Sequence, residues 1–277
     1  MHPVLTIDLA DLHLVAPTYR VALVAAALWA VGGTVWIGRR RGLALRPLLG
    51  SVTVAAVSAV AGSRLLAALN TATPVFEWSL SGFSIWGAVA GAAVGVWVRE
   101  RIGRAAVPPA SVLADAAVPA AGVAIAVART GCLCAGCCFG LPTHLPWGVS
   151  FPPGSGAQIV NLGTGNPFLA AVEPSPAVHP TQLYDGAAAL AAAAVSAWVW
   201  RRKVVTGEWR QGSAAAAGAS VYAAARAVIE AFRYTPPDVW WGGWGYQALF
   251  VVVTVGVGIR IRSTASGPIV KLPVSSA

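Results

Sequence analysis

Residues 110–140 read ASVLADAAVPAAGVAIAVARTGCLCAGCCFG, and a change of composition within this stretch decides how the chain is read. From Ala110 to Ala128 a single acid, Asp115, interrupts an apolar run long enough for a helix to cross the hydrocarbon core of a bilayer, which takes about 20 residues. Arg129 ends the run, and a segment rich in Gly and Cys follows. The unit is a membrane helix that delivers an arginine, and then all four cysteines of the chain, to one side of the bilayer.

The composition extends that reading to the whole chain. Of 277 residues, 57% are hydrophobic and only 10% charged, and the mean hydropathy of +0.68 belongs to a polytopic membrane protein. Spanning runs are expected near 20–38, 47–69, 82–98, 110–129, 185–200, 212–232 and 244–260. The expected fold is therefore all-α, seven transmembrane helices in a single integral membrane domain over residues 1–277, with a long outer segment at about 130–184 between the fourth and fifth. Gly87, Gly91 and Gly95 in the third run, and the alanines of the fifth, suit close helix packing in lipid.

A net charge of +9 would suit a nucleic-acid partner, but the basic residues fall in short blocks between apolar runs, so none is expected. Fourteen of the nineteen lie in four such blocks: Arg39 to Arg46, Arg99 to Arg104, Arg201 to Arg210, and Arg260 to Lys271. The alternate loops are nearly free of them, so the positive-inside rule places the N-terminus outside and the C-terminus in the cytoplasm of a bacterial inner-membrane protein. Residues 1–19 lack the basic n-region of a cleavable signal peptide, so the first run is expected to remain as an anchor.

Five arginines remain, Arg20, Arg64, Arg129, Arg226 and Arg233, all expected toward the outer ends of helices. A guanidinium at membrane depth is costly unless an anion meets it. Its planar fork suits phosphate through paired hydrogen bonds, whereas snorkelling or pairing with Glu77, Glu173, Asp185, Glu230 or Asp238 is the structural alternative.

The outer segment is about 55 residues long, dense in Gly and Pro, and a loop of that length is seldom idle. Its cysteines, Cys132, Cys134, Cys137 and Cys138, form C-x-C-x-x-C-C. Disulfides, free packing thiols, a metal or iron–sulfur site and thiol catalysis all stay open; no metal site is assigned, because the spacing matches neither usual paired C-x-x-C arrangement. His179 and His144 are candidate bases, with Tyr184 and Asp185 close to His179 in sequence. Trp147, Phe151 and the Trp240, Trp241, Trp244 group suit a headgroup interface.

Taken in order, these pieces resemble the bacterial prolipoprotein diacylglyceryl transferases. The resemblance rests on Thr18-Tyr19, Gly62-Ser-Arg64-Leu, Gly82-Phe-Ser-Ile-Trp86-Gly87, Arg129-x-Gly131 with Gly140, Pro142-Thr143, Pro146-Trp147-Gly148-Val, Phe151-Pro152, His179-Pro-Thr-Gln182-Leu-Tyr184, Glu230-Ala-Phe-Arg233 and Pro237-Asp238. Where the family signature has asparagine after Arg-x-Gly and a glutamate five residues on, this chain has Cys132 and Cys137; where the family has a histidine before the glycine of the third span, it has Trp86.

The resemblance implies an enzyme moving the diacylglyceryl group of phosphatidylglycerol onto the lipobox cysteine of a preprolipoprotein signal peptide. It implies Arg129 and Arg233 as the phosphate clamp, Arg64 as a second lipid contact, Tyr19 near the reacting glycerol, and Gly131, Gly140 and Tyr184 around the lipid. His179 is the remaining candidate base, and no cofactor is expected. Two other classes stay open: an altered relative that binds lipid and uses its cysteines for thiol chemistry, and a small-solute transporter, against which the lack of a repeated half counts.

Overall fold

The computed structural model describes residues 4–9, 12–71, 84–103, 107–153, 155–161 and 174–234, with single positions at 248 and 252. Its helices are α1 (Thr18–Arg40), α2 (Leu45–Thr71), α3 (Ile85–Ile102), α4 (Ala110–Ala135), the short α5 (Gly156–Asn161), α6 (Thr181–Val199) and α7 (Ser213–Glu230). A π-helical turn, Trp200–Val204, continues α6. Four of these helices, α1, α2, α4 and α6 with its extension, are long and apolar enough to cross a membrane. Large apolar side chains such as Val24, Leu28, Val57, Val60 and Leu69 point outward from α1 and α2, as lipid-facing positions do.

The expected helices recur with shifted ends. The largest change is in α4, which continues six residues beyond Arg129, so that Cys132 and Cys134 are helical and do not belong to a loop. The expected seventh span at 244–260 lies outside the described residues, apart from the two single positions. Two short strands that the all-α reading did not include, β1 (Val4–Leu9) and β2 (Leu12–Pro17), pair antiparallel ahead of α1.

Packing follows the small residues. α1 lies along α4, α4 along α6 and α6 along α7, while α2 and α3 form a close pair that meets α1 and α4 through Leu48, Val52, Leu113 and Val35. A Cβ at Gly87 would run into the carbonyl of Gly62, and one at Gly91 into that of Ser58, so these helices touch backbone to backbone. Where α1 ends, the Arg41 guanidinium stacks on Trp200, 4.1 Å from the ring centroid. Nearby, Asp115 accepts N–H bonds from Gly212 (2.7 Å) and Ala215 (2.8 Å), so an α4 carboxylate caps the start of α7. Burial pushes Arg41 down to about 10, opposed by the charge of Asp115, and it stays cationic at neutral pH.

At the opposite end of α4 the described parts of the connecting segment pack over a small core of Phe139, Phe151, Ala157 and Val178. Isolated bridges join Gly140 to Arg233, Pro142 to Val178 and Val149 to Val178. The segment read as periodless is therefore held by scattered backbone pairs, which leave no alternation in sequence.

Candidate active site: an arginine and cysteine cleft

Asp185, in the first turns of α6, is buried, and a lone carboxylate there would be strongly unfavourable. Arg129 from α4 meets it through Nε at 2.5 Å, the Tyr222 hydroxyl of α7 donates to it at 2.8 Å, and Arg226 of α7 approaches at 3.8 Å. Arg226 also pairs with Glu230 one turn further on, at 2.7 Å. Pairing is thus the structural role of Arg226, and half of the role of Arg129.

Arg233 is the third guanidinium. It follows α7 directly, and backbone bonds fix its strand-like segment: Leu141 N–H to the Phe232 carbonyl (2.8 Å) and Tyr234 N–H to the Phe139 carbonyl (3.2 Å). Among the described carboxylates none pairs with it. Arg129, Arg226 and Arg233 converge with Asp185, Thr181, Cys138 and Ile229 on one closely packed cleft that encloses no space for a water. Among the described residues three guanidiniums face two carboxylates, Asp185 and Glu230, an excess of positive charge that suits a singly charged anion. A phosphodiester has that charge and the oxygen geometry that suits an arginine fork.

The cysteine turn forms one wall. Gly136 ends α4 in the left-handed region (φ 68°), and Cys138 takes the same conformation (φ 56°) despite its side chain. Thr181 Oγ1 donates to the Cys138 carbonyl and Gln182 Nε2 to the Cys137 carbonyl, each at 2.7 Å. The turn brings the sulfurs of Cys132, Cys137 and Cys138 within 4.8 Å of one another, and Arg129 Nη1 lies 3.9 Å from the first. No disulfide joins the four cysteines in this structure. Thiol hydrogen bonds from Cys132 and Cys137, with the charges of Arg233 and Arg129, pull Cys138 well below the usual thiol range. Its hydrogen bonds with Cys132 and Cys138 push Cys137 up.

The other expected site residues divide. His179 packs its ring 5.0 Å from Phe232, the neighbour of Arg233, and its Nδ1 lies 3.3 Å from the Tyr184 hydroxyl. That hydroxyl in turn accepts from Trp147 Nε1 at 2.7 Å. Tyr19, in the first turn of α1, lies within electrostatic reach of Arg129 and the three clustered cysteines. Gly131 and Gly140 act through close approach: a Cβ at Gly131 would meet Ala22 Cβ at 2.5 Å. At Gly140 it would meet the Phe232 carbonyl oxygen at 2.5 Å and His179 Cβ at 2.6 Å. Arg64 is half-buried on α2 and does not line the cleft; Arg20 and His144 are exposed.

Cys138, Thr181, Asp185 and Arg226 line the cleft without having been assigned to the site from sequence. For Asp185 and Arg226 a signal existed, since both are ionisable residues in otherwise apolar runs.

Comparisons with known proteins bear on the family. Residues 8–264 match the family model for prolipoprotein diacylglyceryl transferase. The chain is 29% identical over 156 residues to the phosphatidylglycerol–prolipoprotein diacylglyceryl transferase of Clostridium tetani, covering 56% of this chain and 53% of that protein. It is 31% identical over 184 residues to the enzyme of that name from Streptomyces griseus, covering 61% and 50%. With transferase 1 of Streptomyces coelicolor it shares 30% over 214 residues, covering 72% and 56%. The chain thus spans little more than half the length of these curated relatives. The match over 8–264, running through the cleft formed by α4, α6 and α7, shows that the chain belongs to the prolipoprotein diacylglyceryl transferase family.

Proposed function

We propose that the protein transfers the diacylglyceryl group of phosphatidylglycerol to the lipobox cysteine thiol of a preprolipoprotein signal peptide. The observation that carries this reading is the cleft itself, with three guanidiniums against two carboxylates and Arg233 without a carboxylate partner among the described residues. The names of the relatives support the substrates.

The lipid phosphodiester sits against Arg233 and the Nη edge of Arg129, whose Nε is held by Asp185. The acceptor thiol loses its proton to a base, and His179 is the assigned one, oriented by Tyr184. The thiolate attacks the glycerol carbon next to the phosphate; a C–S bond forms, the C–O bond to phosphate breaks, and glycerol phosphate leaves. The charge that builds on the departing oxygen is met by the same two arginines, and such anion stabilisation is usually the largest catalytic contribution. Tyr19 and Tyr184 border the reacting glycerol, and Arg64 acts as a more distant lipid contact. The topology that suits this chemistry has seven spans, the N-terminus and the cleft outside, and the basic blocks in the cytoplasm of a bacterial inner membrane.

The test is the mass of a lipobox peptide after incubation with the purified protein and phosphatidylglycerol. A diacylglyceryl gain that disappears in Arg233→Ala is the expected result. No gain, beside a working family enzyme in the same assay, sinks the reading and favours an altered relative that keeps the lipid cleft and uses its three-thiol cluster.

A further inference from the structure

The three clustered thiols have no part in the phosphate clamp, although Cys138 stands in its wall. The backbone is bent to gather them. Cys132 lies near the end of α4, the chain reverses at Gly136, and Cys138 holds a left-handed conformation that disfavours a side chain. Thr181 and Gln182 then fix the carbonyls of Cys138 and Cys137 from α6. Cys134, two residues from Cys132 on the same helix, is not in the cluster.

We propose that Cys132, Cys137 and Cys138 form a three-thiolate site for a zinc-class cation, whose fourth position opens to the arginine cleft and takes a thiol. Three sulfurs within 4.8 Å of one another need only small side-chain adjustments to reach a common ion at the zinc–sulfur distance of about 2.3 Å. Three protein ligands with one open position is the pattern of a reactive zinc centre, not a closed structural one. A divalent ion on three thiolates carries one net negative charge, and the Arg129 guanidinium, 3.9 Å from the Cys132 sulfur, faces it directly; a cuprous ion on the same ligands would carry two.

The ligand class rests on the transferase reading: the incoming thiol is the lipobox cysteine. Bound to the ion it gives up its proton to His179 or solvent and is held as a thiolate beside the glycerol carbon it attacks. Filling of the site releases the protons still held by the cysteine thiols.

The test uses the full-length protein in nanodiscs, reduced and then titrated with cobalt(II) as a spectroscopic stand-in for zinc. One equivalent should bind, with sulfur-to-cobalt charge-transfer absorption of three-thiolate intensity and tetrahedral d–d bands, and zinc should displace it. Cys137→Ser and Cys132→Ser should each weaken binding more than 100-fold, since even changes beyond the direct ligands cost 10- to 100-fold, whereas Cys134→Ser should leave it unchanged. The band intensity counts thiolates without any variant, so a misfolded mutant does not decide the matter. A wild-type spectrum with fewer than three thiolates, or equal loss on Cys134→Ser, overturns the site. Retention of cuprous ion over zinc overturns the zinc assignment. Lipobox peptide added without phosphatidylglycerol should shift the d–d bands through its thiol. Metal binding without that shift overturns the thiol position alone, and a shift without lipid transfer overturns the transferase reading while leaving the site in place.

Discussion

The two ends of α4 handle buried charge in opposite ways. Near its start, Asp115 is fully used: it receives the N–H groups of Gly212 and Ala215, and Arg41 rests on Trp200 beside it. Near its end, Arg129 is only half used by Asp185, Arg233 has no described carboxylate partner, and three thiols crowd against the same wall. Both ends place charge in apolar surroundings, so burial alone does not separate structure from function. The separating feature is whether local partners neutralise what they surround. At the Asp115 end backbone N–H groups satisfy the carboxylate and the result is a helix cap; at the Arg129 end the described guanidiniums outnumber the described carboxylates, which suits an anionic ligand.

The sharpest way to break this contrast is Arg233→Ala. If the remaining charge serves catalysis, kcat/KM for lipid transfer to a lipobox peptide should fall about 100- to 1000-fold with little change in thermal stability, since no described ion pair is lost. Near-normal transfer would mean that the cleft is as structural as the Asp115 end. Next comes Gly140→Ala. Its Cβ would press on the Phe232 carbonyl and His179, so a loss of about 1 to 3 kcal/mol in denaturation, with reduced transfer, is expected. Unchanged stability would show that the segment carrying Arg233 yields easily.

At the other end, Asp115→Ala should lower stability by about 1 to 2 kcal/mol through loss of the α7 cap, while kcat/KM in the surviving folded protein stays within a factor of about 3. A selective loss of transfer would contradict the division. The smallest effect is expected at Arg64, which sits on the α2–α3 pair and outside the cleft wall. Arg64→Ala should reduce transfer by less than about 10-fold, mainly in KM, if its role is a distant contact with the lipid. A loss as large as that of Arg233→Ala would move the centre of the site toward α2.

Reading from sequence reached the helices and missed their junctions. Long apolar runs announce themselves, so α1, α2 and α6 lie within a few residues of their expected ends. The apolar run ends at Arg129, yet packing against α1 carries α4 on to Ala135. His179 and Tyr184 were found close together, as their spacing suggested, but the Trp147 hydrogen bond that completes the group joins residues 37 apart.

The sequence by itself determined a helical membrane protein, the separation of basic blocks from isolated arginines, and the family, because hydropathy, charge placement and ordered motifs are properties of the chain read in one dimension. Only the tertiary structure decided which arginine is neutralised and which is left for a ligand. The same holds for the gathering of three cysteines and the release of the fourth. Those outcomes depend on where α4, α6 and α7 bring distant side chains together, and at a few ångströms electrostatics and coordination respond to separation in space, whatever the separation along the chain.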